Sequence, residues 1–129
     1  MLFRSEWHVS KILVVDDEPA IVNLLREFLH GKNYEVVTAS GGAEAIEKVR
    51  QEAPKVVLLD INMPGMSGLE VLQHIKQHHP EVGVIMMTAL QDEELGPKVL
   101  SLGAFDYVMK PFDLAHLEKV LWWRLQITD

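Results

Sequence analysis

Short apolar runs alternate with longer amphipathic ones along this chain. The runs "ILVV" (residues 12–15), "VVLL" (56–59), "VIMM" (84–87) and "YVM" (107–109) stand out, with a weaker fifth in "YEVVTA" (34–39). Each is short, most are rich in Val or Ile, and Gly, Pro or Asp bounds them, which predicts strands rather than helices. The intervening segments carry helical periodicity. "PAIVNLLREFLHG" places Ile21, Leu24, Leu25, Phe28 and Leu29 on one face, with Pro19 opening the helix and Gly31 just past its end. "GGAEAIEKVRQ" turns Ala43, Ile46 and Val49 inward, and "GLEVLQHIKQHHP" turns Leu69, Leu72 and Ile75 inward before Pro80 stops it. "DLAHLEKVLWWRLQ" starts from an N-cap at Asp113 and aligns Leu114, Leu117, Leu121 and Leu125. Residues 90–102 are helical by position, but Gly96-Pro97 interrupts them and predicts a short helix beginning near Pro97 after a polar loop.

Strand followed by helix, five times over, predicts an α/β fold: a parallel five-stranded sheet between two layers of helices, a three-layer sandwich. Right-handed crossovers leave few topologies, and the flavodoxin-like (βα)5 order 2-1-3-4-5 is the common one. The domain is expected over residues 11–127, with 1–10 as an N-terminal extension and no second domain.

In that order the ends of strands 1, 3, 4 and 5 are neighbours, and ligands of open α/β sheets bind at this carboxyl edge. The first strand runs into Asp16-Asp17, the third into Asp60, the fourth into Thr88 and the fifth into Lys110. Taken singly each has a bland reading. Asp16-Asp17 would favour a helix N-terminus, Asp60 would cap the turn "NMPG", Thr88 suits a strand end, and Lys110 suits a solvated surface. Together these require four coincidences on one edge.

Composition narrows the chemistry. With no Cys, disulfide scaffolds and thiolate metal sites are excluded, and a reducing cytoplasm is the expected location. A formal net charge of −7 argues against nucleic-acid binding by this chain, which would need a basic face. There is no run of membrane-spanning length and no signal-peptide core at the start, so no membrane association is expected.

Clustered carboxylates need a counter-charge. Two of them ~4 Å apart repel by roughly 4 kcal/mol at an effective dielectric of about 20. A hard divalent cation relieves this, and carboxylates with a backbone carbonyl and waters describe a Mg2+ site. Strand alternation sends Asp16 and Asp17 to opposite faces, so at least one must lie beyond the regular strand. Beside such a metal, a lysine and a threonine suit phosphoryl transfer to an aspartate, with Asp60 as nucleophile, Lys110 balancing the phosphoryl oxygens and Thr88 donating to one of them.

The pieces "ILVVDDEP", "VVLLDINMPGMSG", "VIMMTA" and "GAFDYVMKPF" resemble the receiver (CheY-like) domain of bacterial two-component response regulators. The resemblance implies that Asp60 is the phosphoacceptor, that Asp16 and Asp17 hold Mg2+ with Asp60 and the backbone carbonyl of Asn62, and that Thr88 and Lys110 sense the phosphoryl group. It implies that Tyr107 is the aromatic switch residue moving with Thr88, and that Lys110-Pro111 is cis. The implied donor is a sensor histidine kinase or phosphotransfer protein. The implied output face, which can also pair two copies, joins the fourth helix, fifth strand and fifth helix. Gly96-Pro97 departs from the family's continuous fourth helix, and any DNA-binding or enzymatic output is expected to be absent or to lie outside these 129 residues.

Two other functions compete. A Mg2+-dependent phosphohydrolase also uses an aspartate nucleophile, but after its first strand, with a second acid two residues later and a large cap insertion. Here the first strand ends in adjacent Asp16-Asp17 and no such insertion is found. A degenerate receiver acting as a constitutive binding module would lack one of Asp17, Asp60, Thr88 or Lys110, and all are present. The six His include no i, i+4 pair beside a carboxylate, and His78-His79 reads as positive charge at a helix C-terminus. Met86 and Met87 fill a strand, while Met63 and Met66 are expected half exposed in the loop after Asp60. Val120, Trp123 and Ile127 form a second apolar stripe on the last helix, which reads as a partner surface.

Overall fold

The structure, a computed structural model, describes residues 10–89 and 93–126. Strands and helices alternate as β1 (Lys11–Val15), α1 (Pro19–Gly31), β2 (Glu35–Ala39), α2 (Gly42–Glu52), β3 (Val56–Asp60), α3 (Gly68–His78), β4 (Gly83–Thr88), α4 (Leu95–Ser101), β5 (Asp106–Met109) and α5 (Leu114–Gln126). All pairings are parallel and the order is β2-β1-β3-β4-β5, the doubly wound arrangement that the periodicity predicts.

Strand alternation sorts the apolar residues into two cores. Leu13, Val15, Val57, Leu59, Val84 and Met86 face α2, α3 and α4, whereas Ile12, Val14, Val56, Leu58, Ile85 and Met87 face α1 and α5. The central strands β1, β3 and β4 are buried on both faces, which is why they read as unbroken apolar runs.

Several inward assignments change. On α1, Val22 is buried and Leu24 is 44% exposed, because Val22 shares the arc of Leu25 and Leu29 one and two turns on. On α2, Ala45 and Val49 are buried while Ala43 lies outside. α1 runs through Gly31, and the left-handed residue after it is Asn33 (φ 70°), whose short polar side chain tolerates that conformation. On α5, Val120 is 6% exposed and belongs to the core with Leu117 and Leu121, three positions being nearly one turn. Trp123 therefore stands on the surface without Val120. It meets Trp122 edge to face at 5.3 Å, and both are more than half exposed. Ile127 lies outside the described residues.

The fourth helix is short, as Gly96-Pro97 predicts, but it starts at Leu95, so the pair sits inside its first turn, where Pro needs no amide partner. The preceding Glu93 and Glu94 form a turn, and residues 90–92 lie outside the described set. Gly96 has a packing reason. A Cβ there would lie 2.6 Å from three atoms of the Tyr107 ring, so only glycine lets α4 close over β5 with the ring in this position.

The two readings of α5 separate by stability. Leu121→Ala should cost about 2–5 kcal/mol through the cavity it leaves, and Trp123→Ala no more than about 0.5 kcal/mol, measured by urea unfolding.

Candidate functional site

The carboxyl edge of the sheet gathers the polar residues. β1 ends at Val15, so both Asp16 and Asp17 lie beyond the regular strand, and the chain alternation is broken where two carboxylates must share a site. Asp16 is fully buried, Asp17 exposed and Asp60 buried at the end of β3. Carboxylate oxygens of all three lie within 4.8 Å of one another.

Lys110 crosses to this cluster from the end of β5. Its Nζ donates to Asp16 Oδ2 at 2.6 Å and stands 3.4 Å from Asp60 Oδ1. Its backbone N–H donates to the Thr88 carbonyl at 2.8 Å, which ties the ends of β4 and β5 together. The Lys110-Pro111 peptide is cis, as the resemblance implies. Thr88 is 2% exposed, at the last position of β4. Tyr107 lies on edge strand β5, paired in register with Met86, and is partly exposed on the α4 side. Asn62 is exposed in the loop after β3, and its backbone N–H hydrogen-bonds the Asp60 carboxylate.

Burial and then the Asp16 charge push the Asp60 carboxyl up to about 6, against the pull of Lys110 and the Asn62 amide. At Lys110, burial opposes the ammonium, but the hydrogen bond and charge of Asp16, then Asp60 and Glu18, leave its pKa raised. The lysine is therefore a fixed positive charge among carboxylates that are not fully neutralised.

Glu18, Gly68, the Ser67–Glu70 pair and Met63 take places that the sequence pattern did not assign. Glu18 caps α1, and its carboxylate reaches the rim, 3.4 Å from Lys110 Nζ. The signal was local, since Asp16 Oδ1 accepts from the Glu18 amide two residues on, a turn that aspartates favour. Gly68 opens α3 so close to β3 that a Cβ would lie 2.7 Å from the Ile61 Cα. The preceding Ser67 and Glu70 form a reciprocal capping box, legible as S-x-x-E. Met63, expected half exposed, is 8% exposed and packs into the core beneath the loop. An open cavity of about 230 Å3 on the α1 side, lined by Asp16, Asp17, Asn23, Arg26, Ser40 and Glu44, reaches Asp17 from solvent.

A family model described as "Response regulator receiver domain" matches residues 12–121. The chain belongs to that family. Among curated relatives of this receiver domain, the DNA-binding transcriptional regulator NtrC of Escherichia coli is 44% identical over 103 residues, covering 80% of this chain and 22% of the relative. The regulatory protein PhoP of alkaline phosphatase synthesis in Bacillus subtilis is 45% identical over 104 residues, covering 80% of this chain and 43% of the relative. The receiver thus spans less than half the length of these relatives. Among solved structures, a receiver domain protein from Clostridium thermocellum matches with a TM-score of 0.87 and 31% identity over 92% of this chain and 95% of that one. The Vibrio cholerae chemotaxis protein CheY4 matches with a TM-score of 0.84 and 30% identity over 89% and 98%.

The raised pKa of Asp60 has a sign that can be checked. Between about pH 4 and 6 the native state holds more protons on Asp60 than the unfolded chain does, so this group's stabilising contribution is full below about pH 4 and is lost as pH rises through about 6. Asp60→Asn cannot ionise. Relative to wild type, its stability should rise by up to about 3 kcal/mol between pH 4 and pH 7, measured by urea unfolding in metal-free buffer.

Proposed function

We propose that this receiver accepts a phosphoryl group on Asp60 from the phosphohistidine of a sensor histidine kinase or phosphotransfer protein, and that the change is read out on the α4–β5–α5 face by an output domain or partner. The observation that carries this reading is a buried carboxylate at a strand end, its pKa raised to about 6, with an ammonium 3.4 Å away. A charge is kept there at a cost, which suits a nucleophile. An Asp60 oxygen attacks phosphorus, the P–N bond breaks, and the imidazole leaves with its electron pair. Lys110 is already within reach of Asp60 and balances a phosphoryl oxygen as the bond forms. The Thr88 hydroxyl donates to another. The same residues then assist hydrolysis of the acyl phosphate.

The donor set fits a hard divalent ion: three carboxylates with oxygens within 4.8 Å and no soft ligand among them. Asp16, Asp17 and Asp60, with the backbone carbonyl of Asn62, would hold Mg2+. Bound there, Mg2+ supplies positive charge to the transferring phosphoryl oxygens.

The readout follows from Tyr107 and its surroundings. The ring sits over Gly96 on the same side of the sheet as Thr88, two positions further along the adjoining register. Movement of the Thr88 hydroxyl toward a phosphoryl group leaves space that the ring fills, and α4 loses the ring it packs on. Moving such a switch from 1:99 to 99:1 takes about 5.5 kcal/mol of differential stabilisation, so the charge-assisted contacts of Lys110 must contribute beyond one hydroxyl bond. Leu100, Tyr107, Met109, Trp122 and Trp123, five of the six large apolar side chains exposed among the described residues, lie on α4, β5 and α5. That apolar excess supports this face as the partner surface, a second copy of the domain included. The net charge of −7 leaves nucleic-acid binding to other modules. No described helix is long and apolar enough to cross a membrane, in keeping with a receiver working in the cytoplasm.

Incubation with acetyl phosphate and Mg2+ should add one phosphoryl group by intact mass, lost in Asp60→Asn. Lys110→Arg should be impaired at least tenfold, because a planar guanidinium cannot replace a compact ammonium in a crevice where it meets three carboxylates. An adduct that survives Asp60→Asn, or normal kinetics in Lys110→Arg, contradicts the assignment.

A further inference from the structure

The C-terminal half of α3 carries imidazoles that phosphoryl transfer does not use. His74 and His78 lie one turn apart, their ring centroids 4.2 Å apart and their planes inclined by 28°. His78 Nδ1 stands 3.0 Å from the carbonyl oxygen of His74. A carbonyl only accepts, so Nδ1 is the donor in this contact and Nε2 is the nitrogen left to face a ligand in the neutral ring. Metal-bound imidazoles typically have this arrangement, one nitrogen donating to a carbonyl or carboxylate while the other ligates. His74 is half-buried. Burial, then the neighbouring His78 and His79, lower its pKa, which favours the neutral ring.

The helix beneath the pair is held rigidly. Val71, Leu72 and Ile75 are fully buried, and the capping box fixes the first turn. Two imidazoles at i, i+4 share one helix face, the spacing with which helical histidine pairs chelate a metal, and side-chain rotation alone brings their nitrogens to one ion. His79 lines a cavity with Val49 and Pro54 and is not counted as a ligand.

We propose that His74 and His78 form a second metal site, for a borderline divalent transition ion such as Zn2+, Ni2+ or Cu2+, with water completing the coordination. Imidazole nitrogen suits these ions, whereas Mg2+ selects oxygen, so the site and the acidic cluster choose different metals. The two also stand apart: the acidic cluster adjoins the start of α3 and the histidines its end, on an 11-residue helix about 16 Å long.

The test is a Cu2+ titration of the full chain in excess Mg2+, read by electron paramagnetic resonance and calorimetry. Wild type should bind one Cu2+ with two nitrogen ligands. His74→Ala and His78→Ala should each weaken binding about tenfold or more and leave at most one of those nitrogens, while His79→Ala and His116→Ala should bind as wild type does. Zn2+ should raise the thermal midpoint of wild type more than that of the His74→Ala/His78→Ala double variant. Cu2+ binding and spectra unchanged in both single variants, or an equal Zn2+ effect on the double variant, would overturn the site.

Discussion

One ion cluster organises the carboxyl edge of this sheet: Lys110 of the β5 end bonded to Asp16 of the β1 end and close to Asp60 of the β3 end. Breaking such a cluster by removing one member leaves a buried charge unpaired, which is commonly worth about 3–5 kcal/mol. The strand order puts β1 and β3 side by side and β5 next to β4, so the lysine must reach past β4 to Asp60 and past β3 as well to Asp16. The backbone bond from Lys110 to the Thr88 carbonyl holds the β5 end in place for that reach. Loop geometry follows from the same demand. After Asp60 the chain spends Gly65 on a left-handed turn (φ 77°) and Gly68 where the return to α3 passes close against β3.

Under the proposed function, the cluster is a poised arrangement rather than a resting one. Lys110 already shares itself among the carboxylates of Asp16, Asp60 and Glu18, and Asp60 keeps a raised pKa despite that partner. A metal ion and a phosphoryl group would redistribute these charges. Their effect would travel toward Thr88, Tyr107 and the short α4, which packs on the ring only because Gly96 lacks a side chain. The Gly96-Pro97 pair, a departure from a continuous fourth helix, thereby has a structural reason in this chain.

The fold was legible because its central strands β1, β3 and β4 are buried on both faces and read as uninterrupted apolar runs, with Asp16, Asp17, Asp60, Thr88 and, after β5, Lys110 gathered at one edge. What periodicity missed were choices within a helix arc, Val22 over Leu24 and Val120 with Leu117, where nearby apolar residues compete for the inner face and packing decides. Glu18 is not among the expected site residues because Pro19 right after it already turns the chain into α1, and its side chain reaches the lysine only in three dimensions. The burial of Met63 was hidden because a loop between Asp60 and α3 carries no period from which to read an inside.

Stability against Mg2+ probes the cluster most directly, because an ion that binds only the folded site must raise it by mass action. In urea unfolding at pH 7, wild type should gain about 1.4 kcal/mol per decade of Mg2+ once the site begins to saturate. Asp17→Ala, which removes the exposed carboxylate while leaving Asp16 and Lys110 in contact, should gain little. A wild-type stability indifferent to Mg2+, or an Asp17→Ala response equal to that of wild type, would contradict a cation-relieved carboxylate cluster at this edge.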